Sequence, residues 1–338
     1  MIATNFGPFA SRITGTGSAF PDQRLTNLEL TKKIDTTDEW IRERTGIQER
    51  RIAQAGSEAD RNSSLGARAA LAALEMAAKT ASDIDLILYA TCTPDTLIPS
   101  TACWLQKKIG ATKAWALDVN AACSGFVFGL ATADSFLRSG QFKTALVVGG
   151  DILTSMTNWE DRGSCILFGD GAGAAIVERT EATNPRRILS VHMGADGRHW
   201  ELFHVQAGGS NMEVTAEVRA KKLDKMEMKG REMFKVAVRT LGDYAVQALE
   251  SNGLALGDLD WLVPHQANLR IIEAVAKRLE LPMEKVLINI DRYGNTSSAT
   301  IPTALDEGVR KGLVKPGETV LLDAFGAGVT YGSILMRW

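Results

Sequence analysis

Groups able to hold a metal are scarce in this chain. Among 338 residues there are four histidines and four cysteines. His192, His199 and His204 fall in one linker-like stretch without HExxH spacing, and no two cysteines form CxxC, so neither a metal site nor a cofactor is expected. Cys92, Cys103, Cys123 and Cys165 are too few and too irregular for a disulfide framework, and a chain this long does not need one, which predicts a reducing, cytoplasmic setting. Charge of one sign is lacking as well. Lys and Arg total 38 against 40 Asp and Glu, a net charge of −2, so no nucleic-acid partner is implied. No apolar run reaches the roughly 18 residues of a membrane span. The opening MIATNFGPFASR has no basic segment followed by an apolar one, so no signal peptide is expected.

What remains is a globular composition, 45% hydrophobic and 23% charged. Apolar, β-rich runs at 85–91, 144–151, 260–266 and 319–325 alternate with helical patterns at 64–79, 123–139, 229–251 and 269–280. That alternation predicts an α/β protein with short parallel strands. It also repeats at long range. LGARAALAALEMAAKTASDIDLILYA resembles LGDYAVQALESNGLALGDLDWLVPH, and matching Asp85 to Asp260 gives an offset of 175. The segments 123–151 and 295–326 match with Gly140 on Gly312, an offset of 172. Two copies of one unit are predicted, 1–182 and 183–338. The same offsets carry Cys123 onto Asn295 and Ala90 onto His265. Three polar candidates therefore fall at equivalent strand ends or helix starts, where sites assemble in α/β sheets.

Cys123 lies in DVNAACSGFVFGLATADSFL, between an apolar strand and a helix of small residues. A helix N-terminus favours the thiolate of a group whose ordinary pKa is about 8.5. A buried structural cysteine is the alternative, and is the reading taken for the other three. His265 follows WLVP and precedes ANLRIIEAVAKRLEL, where it reads as a base, acid or donor, or as a structural histidine. Asn295, after the strand-like VLINI, is a polar partner for these two or part of a Gly-Asn turn. GDGAGAA (169–175) imitates a dinucleotide fingerprint, but IVER follows as a strand where a phosphate-binding helix is required, so these glycines read as close packing. AFGAGVTYG (324–332) offers either backbone N–H groups for an oxyanion or a bulged strand.

AACSGF (121–126), PHQAN (264–268), YGNTSSATIP (293–302), FGAGVTYG (325–332) and TTDEWIRERTGIQERRIA (36–53) together resemble the signature segments of the β-ketoacyl-acyl-carrier-protein synthase III family. The resemblance runs in order over nearly the whole chain. It implies a thiolase-like five-layered αβαβα fold from two duplicated halves, a homodimer, and a catalytic triad of Cys123, His265 and Asn295. It also implies an acyl-CoA primer, a malonyl-acyl-carrier-protein partner and an oxyanion hole from the N–H groups of Cys123 and Ala327. The family often has glycine at the position of Ala327.

Thr36-x-x-Glu39 reads as a capping box opening a helix, with Trp40 and Arg44 on one face. The resemblance assigns these two and Arg162 to the CoA adenine, and Gly230, Phe234, Ala267 and Asn268 to the pantetheine arm. It assigns Lys235, Arg270, Lys277 and Arg278 to carrier-protein docking. Ile98, in LIPSTAC (97–103), is expected to reach across the dimer and floor the partner's acyl pocket. The alternatives are a synthase III-like enzyme of secondary metabolism and, from another class, a nucleotide-binding oxidoreductase built on GDGAGAA. A biosynthetic thiolase needs a second cysteine near the C-terminus, and 319–338 has none.

Overall fold

Two sheets with the same plan organise the chain, as seen in a computed structural model that describes residues 7–338. In spatial order the first comprises Phe9–Ala19, Asp170–Glu181, Thr144–Ile152, Leu86–Ala90 and Trp115–Val119. The second comprises Ile188–Ala195, Thr330–Arg337, Thr319–Gly326 and Trp261–Pro264. Read in this order, each strand of the second sheet matches one of the first. The fifth position is reduced to a single bridge between Leu262 and Val286. VLINI was expected as a strand. Instead the chain leaves after that bridge and turns into the short helix Ile290–Tyr293.

The sheets are mixed, not parallel as expected. Leu86–Ala90 runs parallel to both of its neighbours, but Asp170–Glu181 is antiparallel to Thr144–Ile152, and Thr330–Arg337 to Thr319–Gly326. Parallel pairing needs a crossover, usually a helix. No α-helix lies between Ile152 and Asp170, and only three residues separate Gly326 from Thr330, so both connections fold straight back.

Helices fill the remaining layers. Gly125–Arg138 and Thr300–Arg310 lie between the sheets, Asn62–Met76 covers the outer face of the first, and Gly230–Glu250 that of the second, packed beside Leu269–Arg278. The order is α, β, α, β, α. The central helix Gly125–Arg138 buries Phe126, Val127, Leu130, Ala133 and Leu137 at helical spacing. Full burial of each large apolar side chain contributes roughly 1.5–3 kcal/mol. GDGAGAA opens the strand Asp170–Glu181, as its context predicted. A Cβ on Gly173 would stand 2.8 Å from the ring of Pro302, so this glycine lets a helix approach a strand.

Candidate active site

The three candidates converge on one turn, Asn295 to Thr300. Asn295 is fixed by its backbone: its N–H donates to Leu167 O at 2.8 Å and its carbonyl accepts from Gly169 N–H at 3.0 Å. Its Oδ1 accepts from Ser297 N–H at 2.8 Å, which leaves the side-chain amide N–H₂ as the free donor. At the other end of the turn, Thr300 Oγ1 lies 2.8 Å from Nδ1 of His265. The middle of the turn packs against Ala122–Ser124.

Cys123 sits in that single 3-10 turn, and the α-helix begins only at Gly125. Cys123 is 6% exposed. The sequence predicted a thiol acidified by the helix dipole, but burial pushes its pKa up to about 12. The Ser297 hydroxyl opposes the rise and the buried charge of Asp151 adds to it. Desolvation outweighs a dipole whose first full turn begins two residues later. Against this turn lies FGAGVTYG. A Cβ on Gly326 would be 2.8 Å from Cys123 N and 2.9 Å from Ser124 N, so only glycine lets the strand end reach the nucleophile's backbone. Thr330 Oγ1 donates to Ala121 O at 2.8 Å, and Ser124 Oγ to Thr330 O at 3.0 Å.

His265 follows the strand Trp261–Pro264, with its N–H donating to Asp323 O at 2.8 Å. Burial lowers its pKa to about 3, so the ring is neutral in neutral solution. The helix begins at Leu269, where the 269–280 pattern places it. Asn268 is its N-cap, with Oδ1 accepting from Arg270 N–H. The same side chain donates from Nδ2 to Arg44 O at 2.9 Å, tying this helix to Asp38–Thr45.

On that second helix Trp40 is flanked by two guanidinium groups, Arg44 at 4.7 Å and Arg162 at 4.8 Å from its ring centre. The cap is Thr37, which accepts from Trp40 N–H at 3.1 Å. Thr36, expected in that role, is half-buried, and its hydroxyl oxygen is enclosed without a partner among the described residues. Gly230 and Phe234 form the first turn of Gly230–Glu250, and Phe234 is exposed. Ala267 is half-buried between His265 and the Asn268 cap.

Lys235, Arg270 and Lys277 are exposed and have no ion-pair partner among the described residues. Arg270 Nε donates to Glu43 O at 3.0 Å, whereas Arg278 is engaged by Asp243. Ile98 is 88% exposed beside Leu97 at 87%. The loop carrying them borders a cleft of about 740 Å³ whose wall includes Cys92, Thr93, Ile152 and Met156. Sequence reasoning missed the support for these groups. Asp151, 0% exposed at a strand end, accepts hydrogen bonds from Thr91, Cys92, Thr93 and Ser298. Its only sequence signal is an Asp closing an apolar run.

Residues 117–197 match the family model for 3-oxoacyl-[acyl-carrier-protein] synthase III, and 249–338 match the model for its C-terminal part. The chain is 50% identical to the β-ketoacyl-[acyl-carrier-protein] synthase III of Thioalkalivibrio sulfidiphilus, across 97% of this chain and 99% of that one. It is 52% identical to that of Xanthomonas campestris pv. campestris, across 97% and 98%. The crystal structure of 3-oxoacyl-[acyl-carrier-protein] synthase III from Aquifex aeolicus superposes with a TM-score of 0.89 at 43% identity, covering 97% of this chain and all of that one. The priming β-ketosynthase of the R1128 polyketide pathway gives 0.88 at 36%, covering 98% and 97%. With its five-layered thiolase-like architecture and these matches over nearly its full length, the chain belongs to the 3-oxoacyl-[acyl-carrier-protein] synthase III family of condensing acyltransferases.

Proposed function

We propose that Cys123 is the nucleophile of this chain, that His265 and Asn295 hold the second substrate, and that backbone N–H groups of Cys123 and Ala327 hold the oxyanion. The chain is a condensing enzyme that initiates fatty acid synthesis. The identity near 50% to synthases III, against 36% to a polyketide priming enzyme, favours this over secondary metabolism. The observation that carries the assignment is the turn Asn295–Thr300, which orients the Asn295 amide, meets Cys123 and holds His265.

The sulfur of Cys123 attacks the carbonyl of a short acyl-CoA. CoA leaves as its thiol with the cysteine proton, and the acyl group stays as a thioester. Malonyl-carrier protein then binds with its thioester carbonyl toward Asn295 Nδ2 and His265 Nε2. Loss of CO2 leaves the bonding pair as an enolate, and both donors stabilise the oxygen where that charge collects. The carbanion attacks the acyl-Cys123 carbonyl, and the tetrahedral oxyanion meets the N–H groups of Cys123 and Ala327. Collapse releases 3-oxoacyl-carrier protein, and the thiolate of Cys123 takes a proton from solvent. One such donor is typically worth about 3 kcal/mol of barrier.

Trp40, Arg44 and Arg162 receive the adenine of CoA. Gly230, Phe234, Ala267 and Asn268 line the approach of the pantetheine arm. Lys235, Arg270 and Lys277 meet an acidic carrier protein, with Arg231 and Arg239 extending the Lys235 row at helical spacing. Arg278 joins them once it releases Asp243. The active form is a cytoplasmic homodimer. Its contact is the unpaired edge strand Trp115–Val119, where Trp115 is 57% exposed, with Leu97 and Ile98 entering the partner's acyl cleft. The four free cysteines suit a reducing compartment. Residues 1–182 and 183–338 are two copies of one ancestral unit, a reading supported by the shared strand order. Mass spectrometry after incubation with acetyl-CoA tests the nucleophile: the adduct is expected on Cys123, and an adduct on another cysteine contradicts it.

A further inference from the structure

We propose that Thr300 is a positioning residue for the condensation: its hydroxyl donates to Nδ1 of His265, which leaves the ring proton on Nε2 for the substrate. The proposal rests on the reading of His265 as a donor.

A neutral imidazole carries one N–H, so a ring that donates through Nε2 must accept at Nδ1. The only hydrogen-bonding group at Nδ1 among the described residues is Thr300 Oγ1, at 2.8 Å. Both residues are buried, His265 at 3% and Thr300 at 1% exposure, so water does not serve as a substitute. The Thr300 hydroxyl has one proton and a second acceptor within reach, Ser297 O at 2.9 Å. Two arrangements fit the same heavy atoms. In one, Nδ1–H donates to Thr300, Thr300 donates to Ser297 O, and Nε2 presents a bare lone pair. In the other, Thr300 gives up its bond to Ser297 O and donates to Nδ1, and Nε2 carries the proton.

Only the second can stabilise an enolate. A lone pair facing the developing oxygen charge is repulsive, whereas an N–H is attractive. The two differ by rotation of one O–H bond and relocation of one ring proton, so no backbone movement is needed. Burial that keeps the ring neutral removes the remaining route to an Nε2 donor, the doubly protonated cation. The hydroxyl proton of Thr300 and the ring proton of His265 are therefore coupled: His265 acts as a donor when Thr300 turns its proton from Ser297 O to Nδ1.

The test combines nitrogen NMR of the full-length protein labelled on histidine with two assays, CO2 release from malonyl-carrier protein and acylation of Cys123 by acetyl-CoA. His265 is expected as the Nε2–H tautomer in the wild-type protein. Thr300→Val keeps the shape and removes the hydroxyl. Decarboxylation should fall roughly 10- to 100-fold while acylation of Cys123 is little changed. Thr300→Ser should restore it. A wild-type Nδ1–H tautomer overturns the proposal, as does equal loss of both activities in Thr300→Val, or full decarboxylation by that variant. The two readings fail separately. Full decarboxylation by His265→Ala overturns the donor role itself, whereas an inactive His265→Ala beside an active Thr300→Val overturns only the part given to Thr300.

Discussion

The hydroxyl of Ser298 lies 2.9 Å from Oδ2 of Asp151, and Oδ1 of the same carboxylate accepts from Cys92 N–H at 2.8 Å. One buried anion thus joins the turn bearing Asn295 to the loop that leads to Ile98. It has no cationic partner among the described residues, and its charge opposes ionisation of Cys123. Asp151→Asn should therefore act in two directions. Weakening charge-assisted hydrogen bonds should cost about 1.5–3 kcal/mol of stability, read from denaturant unfolding. Removing the charge should ease ionisation of the thiol, so alkylation of Cys123 by iodoacetamide at fixed pH should be faster. Slower alkylation in a folded variant would contradict this electrostatic role.

The division of labour predicts a split between two activities. His265→Ala and Asn295→Ala should each lose about 10²–10³-fold in malonyl decarboxylation, the usual effect of removing a donor to a developing oxyanion. Cys123→Ala should lose condensation and keep decarboxylation. Normal CO2 release by Asn295→Ala would show that its amide does not serve the enolate.

The pH dependence follows from burial. A base whose pKa falls from the usual 6.5 to about 3 takes up its proton only at much lower pH. Decarboxylation should therefore stay flat as pH falls from 8 to 5, with no limb near 6.5 belonging to His265. Measured CO2 release that drops through pH 6–7, in a manner abolished by replacing His265, would contradict a buried neutral ring.

Much of this site can be read along the chain, because strand ends and helix starts bring Cys123, His265 and Asn295 to comparable places in two similar halves. What supports them cannot. Asp151 closes an ordinary apolar strand, and Thr300 is one of four Ser or Thr residues in a row of five, so their partners emerge only when distant turns meet. The cap of Asp38–Thr45 lies at Thr37, one residue from the expected Thr36, because the two are adjacent and alike and backbone geometry selects between them. The thiol's acidity is set by burial, and sequence shows the helix start but not the burial that dominates it. Mixed sheets were missed because short connections, not strand composition, set direction.

Carrier-protein docking should respond to charge and salt. Reversing Lys235, Arg270 or Lys277 should raise KM for malonyl-carrier protein roughly two- to five-fold each at low salt, with little change for acyl-CoA. The effect should shrink at physiological ionic strength, where exposed charges are screened over about 8–10 Å. Equal effects on both substrates would place these residues on the CoA side.

Primer length should respond to Ile98 if it enters the partner's acyl cleft as proposed. Isoleucine is smaller than an aromatic side chain, so the partner's pocket should have depth to spare. Each further buried methylene contributes about 0.8 kcal/mol, close to fourfold in kcat/KM. Butyryl- and isobutyryl-CoA should then compete with acetyl-CoA. A steep fall beyond two carbons, unchanged in Ile98→Ala, would remove this argument.

The central claim is that Cys123 carries the acyl group between two substrates. Its most direct test is a chase of the isolated acyl-enzyme. Protein loaded with labelled acetyl-CoA should show one added acetyl group, located on the peptide containing Cys123. Malonyl-carrier protein should then discharge that label into 3-oxobutyryl-carrier protein with release of CO2. A Cys123→Ser protein that condenses at near-normal rate, or a labelled Cys123 that malonyl-carrier protein leaves untouched while product still forms, would contradict the account.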